Sequence, residues 1–209
     1  MSATHARKKP FLRLATAAVA MVAALGMAAC SGGASTSSSS SSSEQVGDRS
    51  PEQIKEAGEI VIGIFSDKAP FGYIDADGKP AGYDVVYGDR IAADLGVTAK
   101  YVPVDAAART EVLASNKVDI TLANFTVTPE RAEKVDFANP YFKVSLGVVS
   151  PTSAEITDVS QLAGKTLIVT KGTTSESYFE ANHPEVKLLK FDQYSDAYQA
   201  LEDGRGDAF

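Results

Sequence analysis

The sequence contains very few of the residues that bind metal ions or form covalent cross-links. Of its 209 residues, one is a cysteine, Cys30, and two are histidines, His5 and His183. A single cysteine excludes an intramolecular disulfide and a thiolate metal cluster. Because His5 lies in an N-terminal segment that resembles a leader, a histidine-rich metal site is excluded as well. We therefore expect neither a metal ion nor another cofactor.

Basic residues are also scarce once the N-terminal segment is set aside. The net charge is −7, but the first 29 residues contain four basic side chains and no acid. The remaining chain has 16 basic and 27 acidic residues, a net charge of −11. A surface of that sign favours solubility and repels nucleic acid and anionic lipid. A nucleic-acid partner is therefore excluded.

The N-terminal segment is typical of a secretory signal. Residues 1–13 form a basic segment with four basic side chains. Residues 14–25 are mostly apolar or small, and this run is shorter than the ~20 apolar residues that a membrane span needs. Small residues then precede Cys30, as in a bacterial lipobox. That motif predicts a signal peptide over residues 1–29 and a diacylglycerol on Cys30, which supplies the two chains of a stable anchor. The alternative is a plain signal peptide with an incidental cysteine.

Residues 31–43 are almost all serine, glycine, alanine and threonine. Such a composition cannot bury a core and predicts a flexible coil. We therefore expect residues 30–50 to form a linker that holds a folded domain away from a membrane.

From residue 51 onward, predicted strands alternate with predicted helices. Hydrophobic periodicity, capping residues and glycines define both sets. The predicted helices cover residues 51–57, 84–95, 106–115, a short turn opened by 128–131, 158–162, 175–182 and 195–202. The predicted strands cover residues 59–64, 100–104, 118–123, 144–150, 166–170 and 187–191, with a hairpin at Asp77-Gly78. This alternation predicts mostly parallel sheets with helices on both faces.

Two such series follow one another, which predicts two lobes with a cleft between them. The first lobe is expected over residues 51–146 and the second over residues 147–209. A last strand has only begun at residues 207–209, so we expect the second lobe to be truncated.

Several short motifs, taken in order, carry a family resemblance. They are GIFSDKAPFGY at residues 63–73, GYDV at 82–85, NKVD at 116–119, TVTPER at 126–131, VDF at 135–137, PY at 140–141 and KGTT at 171–174. In these motifs the chain resembles family 3 of the bacterial extracellular solute-binding proteins, the amino-acid binders of ABC transporters. One departure is Val86, at a position where the family has an acid. Because this position lies on a predicted helix, the substitution weakens the match to the family motif more than it weakens the binding site.

The resemblance implies a two-lobed periplasmic-binding-protein type II fold, here truncated within the second lobe. It also implies a monomer that binds a small amino acid, delivers it to an ABC-transporter permease and lies outside the cytoplasm as a membrane-anchored lipoprotein. The segments LANFT at 122–126, KGTT at 171–174 and LKFDQ at 189–193 resemble cysteine-binding members, so a small polar ligand is expected. The family's ammonium-binding aspartate falls beyond residue 209, so residues 1–209 alone are expected to bind weakly or not at all.

Arg131 is the candidate for the ligand's α-carboxylate. A planar guanidinium holds a carboxylate through two parallel hydrogen bonds, and the first turn of a helix also favours an anion. The family places its carboxylate-binding arginine at this position. The alternative is an ion pair of Arg131 with Glu130 or Asp136.

Residues at the end of the predicted strand 118–123 complete the first half of the site. In open α/β sheets, ligands gather at the carboxyl ends of strands. Backbone groups of Ala123 and Asn124 are expected to meet the ammonium, and the N–H and hydroxyl of Thr126 to meet the carboxylate. The alternative is an ordinary turn populated by polar residues.

Thr173 and Thr174 are the candidates from the second lobe. They precede a predicted helix, whose free N–H groups would reach the carboxylate from across the cleft. The alternative reading is helix capping by Thr174 or Ser175, and both readings are compatible.

Phe65, Lys68 and Arg109 are predicted to form the walls of the side-chain pocket. Phe65 replaces an acid and Lys68 replaces an aromatic residue of many relatives, which argues against a large basic or aromatic ligand. The alternative places each of them in the core or on the solvated surface.

Two other functions remain open on this fold. One is an enzyme resembling cyclohexadienyl dehydratase, and the other is the ectodomain of a sensor. The serine-rich linker and the predicted lipid anchor favour a non-catalytic binding protein over both.

Overall fold

The computed structural model describes residues 48–209. The predicted signal peptide, Cys30 and most of the predicted linker lie outside the described residues. None of the helices within residues 48–209 combines the length and the apolar character that crossing a membrane requires.

The first lobe is built on a parallel sheet. In chain order its elements are α1 (Pro51–Ala57), β1 (Glu59–Ile64), β2 (Asp67–Lys68), β3 (Gly72–Ile74), β4 (Pro80–Ala81), α2 (Tyr83–Leu95), β5 (Thr98–Pro103), α3 (Arg109–Ala114), β6 (Ile120–Thr121) and α4 (Pro129–Ala132). Strand β1 lies between β5 and β6 and is parallel to both. Strands β2, β3 and β4 form a small antiparallel sheet that contains the predicted hairpin.

Alternating side chains of β1 build two cores, one on each face of this sheet. Ile60, Ile62 and Ile64 pack with α1 and α2, whereas Val61 packs with α3 on the opposite face. Successive side chains of a strand point to opposite faces, and a central parallel strand is covered on both. This is why β1 is an almost uninterrupted apolar run.

The second lobe repeats the pattern on a smaller scale. It contains two 3₁₀ turns (Thr152–Ala154 and Val159–Leu162), then β7 (Thr166–Thr170), α5 (Thr174–Asn182), β8 (Lys187–Phe191) and α6 (Tyr194–Glu202). Strands β7 and β8 are parallel, and Ala208 adds a single parallel bridge to Leu167 on the other edge of β7. The structure is thus the predicted two-lobed α/β architecture.

The predicted strand over residues 144–150 is wrong. Within residues 48–209, Val149 alone of this segment has a strand-like partner: it exchanges backbone hydrogen bonds with Phe209 at 2.7 and 2.8 Å. Val144 and Leu146 are exposed. Alternating β-branched residues favour extended backbone, but a strand also needs a partner along its length. The predicted strand 118–123 is likewise shorter, because ladder pairing with β1 extends only over Ile120–Thr121.

Candidate functional site

A cavity of about 580 Å³ is lined by residues of both lobes. Its polar lining includes Lys68, Arg109, Asn124, Thr126 and Arg131 from the first lobe, Thr170, Thr173, Thr174, Ser175, Tyr178 and Tyr194 from the second, and Lys143 and Ser145 from the segment between them. The segment 142–149, which joins the lobes, forms another wall. The chain leaves the carboxyl ends of β6 and β7 here, where open α/β sheets place their ligands. We call this space the interlobe cavity.

Arg131 reaches the interlobe cavity from α4. The Thr128 hydroxyl caps this helix by accepting a hydrogen bond from the Arg131 N–H at 3.3 Å. The guanidinium donates to the carbonyl of Thr126 at 2.7 Å and to that of Gly172 at 2.8 Å. A guanidinium has five N–H donors, so further donors remain for a ligand.

The alternative reading of Arg131, an ion pair with a neighbouring acid, does not describe the structure. Glu130 pairs with Lys134 at 3.3 Å instead. None of the salt bridges within residues 48–209 includes Arg131. Its partial burial lowers the pKa of Arg131, yet an arginine remains charged at neutral pH. The cavity therefore contains a half-buried cation without a carboxylate partner in the described part of the chain.

Arg109 is buried, and the hydrogen bonds that its side chain donates within residues 48–209 all go to backbone carbonyls. Its side chain donates to the carbonyls of Ala106 (2.8 Å), Ala123 (3.0 Å), Asn124 (3.1 Å) and Gly172 (2.8 Å). Burial, followed by the charge of Arg131, lowers the pKa of Arg109 to about 10. Arg109 lines the cavity, and it also ties the end of the first sheet to the second lobe.

Gly172 brings the backbone of the second lobe against these cations of the first lobe. Its carbonyl accepts hydrogen bonds from both Arg109 and Arg131. A Cβ at this position would lie 2.4 Å from the Cα of Ala107, and its φ of +71° is in the left-handed region. Only glycine satisfies both conditions without strain. The shared acceptor thus depends on the absence of a side chain.

Lys68 is held between the lobes by polar and aromatic groups. Its Nζ donates to Asn124 Oδ1 at 3.1 Å and to the Tyr194 hydroxyl at 2.9 Å. It also lies 4.1 Å from the centre of the Tyr194 ring, within cation–π distance. Burial, followed by the charge of Arg109, lowers the pKa of Lys68 to about 8. Asn124 turns the chain after β6 in a left-handed conformation, with φ of +50°.

Two residues predicted for the site lie behind the cavity. Phe65 is 1% exposed and packs in the core with Val61, because the alternation along β1 directs both to the same face. Its ring lies beneath Lys68 and Arg109, 5.4 and 5.5 Å from their charged groups. Ala123 is fully buried, and its carbonyl accepts from Arg109. The prediction that Phe65 forms a pocket wall is therefore wrong.

The turn before α5 presents the second lobe to the cavity. Thr173 is the N-cap, accepting from the Glu176 N–H at 3.3 Å, so capping by Thr174 or Ser175 is wrong. The Gly172 N–H is already bound to Glu176 at 2.7 Å. Thr174 and Ser175 begin the helix, where N–H groups have no intrahelical acceptor.

Thr170 adds a polar group that sequence reasoning missed. The residue is 2% exposed and lines the cavity at the end of β7. Its hydroxyl oxygen has no hydrogen-bond partner among residues 48–209. Buried polar atoms rarely lack a partner, so the position suits a ligand group. The strand-end rule that selected Asn124 would also have selected Thr170.

Tyr194 and Asp67 are the other residues that sequence reasoning missed. Asp67 Oδ2 accepts hydrogen bonds from the N–H groups of Tyr194 at 2.6 Å and Ser195 at 3.1 Å. An acid of the first lobe therefore caps helix α6 of the second lobe. Tyr194 follows the carboxyl end of β8, which is the signal that would have identified it.

Asp84 is a buried acid behind Lys68. It is 0% exposed, Oδ1 accepts from the Tyr141 hydroxyl at 3.1 Å, and Oδ2 has no partner among the described residues. Burial raises the pKa of Asp84 to about 6, although the Tyr141 hydrogen bond and the Lys68 charge oppose this shift. Folding therefore favours the protonated form of this carboxyl relative to the unfolded state.

Replacing Asp84 with asparagine is expected to change how stability depends on pH. An unfolded aspartate has a pKa of about 3.9, so between about pH 4 and 6 the folded chain binds more protons than the unfolded chain. Stability therefore falls as pH rises through this range. From pH 4.5 to 7.5, the free energy of unfolding of Asp84→Asn relative to wild type should increase by about 2 kcal/mol. Urea denaturation at both pH values measures this difference.

The matched control for Asp84 is Asp94→Asn, an exposed acid on the same helix whose partner is Arg90. Its stability should follow the wild type at both pH values. A difference between Asp84→Asn and wild type that stays constant with pH would contradict a raised pKa for Asp84.

Two α/β lobes line one cavity, and its cations have no carboxylate partner among residues 48–209. These features define a two-lobed ligand-binding protein. The comparison with known sequences makes this assignment specific. The chain belongs to the bacterial extracellular solute-binding proteins, family 3, whose sequence profile matches residues 60–207.

Named relatives bind amino acids. The chain is 31% identical over 160 residues to the ABC transporter glutamine-binding protein of Bacillus subtilis (strain 168), covering 74% of this chain and 59% of the relative. The solved solute receptor for L-cysteine of Neisseria gonorrhoeae is 55% identical with a TM-score of 0.75, covering 77% of this chain and 66% of that one. The cysteine-binding protein of Campylobacter jejuni is 51% identical with a TM-score of 0.73, covering 76% and 65%.

These comparisons confirm the predicted family and the predicted resemblance to cysteine-binding members. The chain spans 59% of the length of the curated relative from Bacillus subtilis.

Proposed function

We propose that this chain belongs to the solute-binding component of an ABC importer that captures a small polar amino acid, with L-cysteine as the first ligand to test. The observation that carries the proposal is Arg131, a half-buried guanidinium that lines the interlobe cavity without a carboxylate partner among residues 48–209. Every α-amino acid supplies such a carboxylate. The relatives named above are described as binding proteins, which supports a non-catalytic function.

In the proposed complex, Arg131 holds the α-carboxylate through donors that the carbonyls of Thr126 and Gly172 leave available. The Thr126 hydroxyl and the first N–H groups of α5, at Thr174 and Ser175, provide further donors from the two lobes. The carbonyl oxygens of Ala123 and Asn124 accept from Arg109 in this structure and retain a second lone pair for the ammonium. Their contact with the ammonium stays a prediction.

The partner is an ABC-transporter permease, and the binding protein acts as a monomer outside the cytoplasm. The family is extracellular by description, which supports this location. The lipobox-like residues before Cys30 and the serine-rich stretch support a signal peptide over residues 1–29, a lipidated Cys30 and a linker over 30–50. Lobes over residues 51–146 and 147–209 complete the proposed organisation. The mass of the mature N-terminal peptide tests the lipid.

Ligand-dependent stabilisation tests the proposed function. The protein expressed from residue 31 onward, together with any sequence that its gene encodes after residue 209, is heated with L-cysteine under reducing conditions, and separately with L-glutamine, L-glutamate and L-arginine. A ligand present at 100 times its Kd should add about 2.7 kcal/mol of stability and raise the melting temperature. Calorimetry then gives the Kd. If none of the amino acids raises the melting temperature or releases heat, the proposed function is wrong.

A further inference from the structure

The ammonium of Lys68 is fixed by a residue of the opposite lobe. Tyr194 provides both its hydroxyl, 2.9 Å from Nζ, and the face of its ring, 4.1 Å from Nζ. Asn124 Oδ1 is the other acceptor, at 3.1 Å. Lys68, Asn124 and Tyr194 all line the interlobe cavity, so the ammonium is presented at the boundary of the space a ligand would occupy.

The position of Tyr194 is itself determined by the residue next to Lys68. Asp67 Oδ2 accepts the N–H of Tyr194 at 2.6 Å, and the Tyr194 ring packs edge-on against Phe65 at 5.4 Å. Tyr194 is therefore anchored through its backbone and through its ring. This anchoring holds both the hydroxyl and the ring face of Tyr194 at Lys68.

The cavity around Lys68 has an excess of positive charge. No carboxylate of residues 48–209 lies within salt-bridge distance of Lys68, Arg109 or Arg131. The α-carboxylate of one bound amino acid would neutralise one of these three charges. Lys68 is predicted to form a wall of the side-chain pocket, and its ammonium there would attract an electron-rich atom of the ligand's side chain and repel a cation.

We propose that Tyr194 is a specificity-determining residue that positions the Lys68 ammonium, so that the site selects amino acids with a hydrogen-bond-accepting or anionic side chain and rejects those with a cationic one. This inference rests on the proposed function. The side chains it favours carry a thiol or thiolate sulfur, a carboxylate or an amide oxygen. Guanidinium and ammonium side chains are excluded.

The experiment compares selectivity rather than affinity alone. Competition calorimetry on the gene product measures the Kd for L-arginine relative to the tightest of L-cysteine, L-glutamine and L-glutamate. Lys68→Met should shift this ratio towards arginine by at least about tenfold, since a like charge is removed. Tyr194→Phe, which keeps the ring, should shift it in the same direction by about threefold.

The double variant shows whether Tyr194 acts through Lys68. If it does, adding Tyr194→Phe to Lys68→Met should leave the selectivity ratio of the single Lys68→Met variant unchanged. Tyr198→Phe, an exposed tyrosine of the same helix, is the matched control and should behave as wild type. Melting temperatures confirm folding, and Lys68→Gln replaces Lys68→Met if the latter does not fold.

The outcomes separate this inference from the function on which it rests. If the wild type binds no amino acid, the proposed function fails and the inference falls with it. If the wild type binds but Tyr194→Phe weakens every amino acid equally, only the inference is overturned. Additive shifts in the double variant would also overturn it, because Tyr194 would then act independently of Lys68.

Discussion

Replacing Arg131 with lysine is expected to weaken amino-acid binding by at least about 100-fold while leaving the protein folded. Arginine presents two parallel donors in a rigid plane, whereas the lysine ammonium is a compact point charge on a flexible stem. The shorter side chain also loses the present contacts with the carbonyls of Thr126 and Gly172. Two charge-assisted hydrogen bonds contribute about 3 kcal/mol together, which corresponds to this loss of affinity.

Calorimetry of the Arg131→Lys gene product with its preferred amino acid measures the effect, and thermal denaturation without ligand verifies the fold. The matched control is Arg90→Lys, because Arg90 is exposed on α2 and pairs with Asp94. It should bind as the wild type does. Affinity within about threefold of wild type for Arg131→Lys would show that the carboxylate is held elsewhere.

Elements defined by local chemistry could be predicted closely from the sequence. Helix α1 begins at a capping box in which Ser50 and Gln53 each bond the other's backbone, and it ends at Gly58 in the left-handed conformation. Thr128 and Pro129 define the start of α4 in the same way. These signals act over a few residues, so the pattern alone contains them.

The predicted strand over residues 144–150 failed because its partner is not local. The alternation of apolar residues is present, but Val149 pairs with Phe209, sixty positions away, and its neighbours pair with nothing comparable. Whether such a segment becomes a strand depends on the sheet that meets it. The sequence pattern shows that the segment favours extended backbone, but it does not show whether another strand pairs with it.

The residues of the candidate site also differ in whether a local pattern or a distant contact defines them. Arg131, Thr126 and Thr173 occur in short motifs, and the structure brings all three to one cavity. The position of Tyr194 after β8 could have marked it as a cavity residue, but its contact with Lys68 joins positions 126 residues apart and no local pattern contains it. Phe65 was assigned to the pocket, although Val61, Gly63 and Phe65 follow one another at two-residue intervals and such an alternation places Phe65 on the core face of Val61.

Replacing Arg109 with methionine is expected to lower the free energy of unfolding by about 3 kcal/mol. Two effects oppose each other here. Arg109 is 2% exposed and has no carboxylate within salt-bridge distance among residues 48–209, so its burial carries a desolvation cost that methionine would relieve. Against this, its guanidinium donates to four carbonyls and lies 4.5 Å from the Phe125 ring.

The hydrogen bonds should outweigh the desolvation cost, because removing the guanidinium leaves the buried carbonyls of Ala106 and Ala123 without this donor. Gly172 keeps its bond from Arg131, but Ala106, Ala123 and Asn124 would each lose the side-chain donor that Arg109 provides. An unsatisfied buried group costs about 1–3 kcal/mol, and these sum to more than methionine recovers. Urea denaturation of Arg109→Met, with exposed Arg90→Met as the control, measures the difference. A change below about 1 kcal/mol would mean that desolvation balances these bonds and that Arg109 is retained for the ligand rather than for the fold.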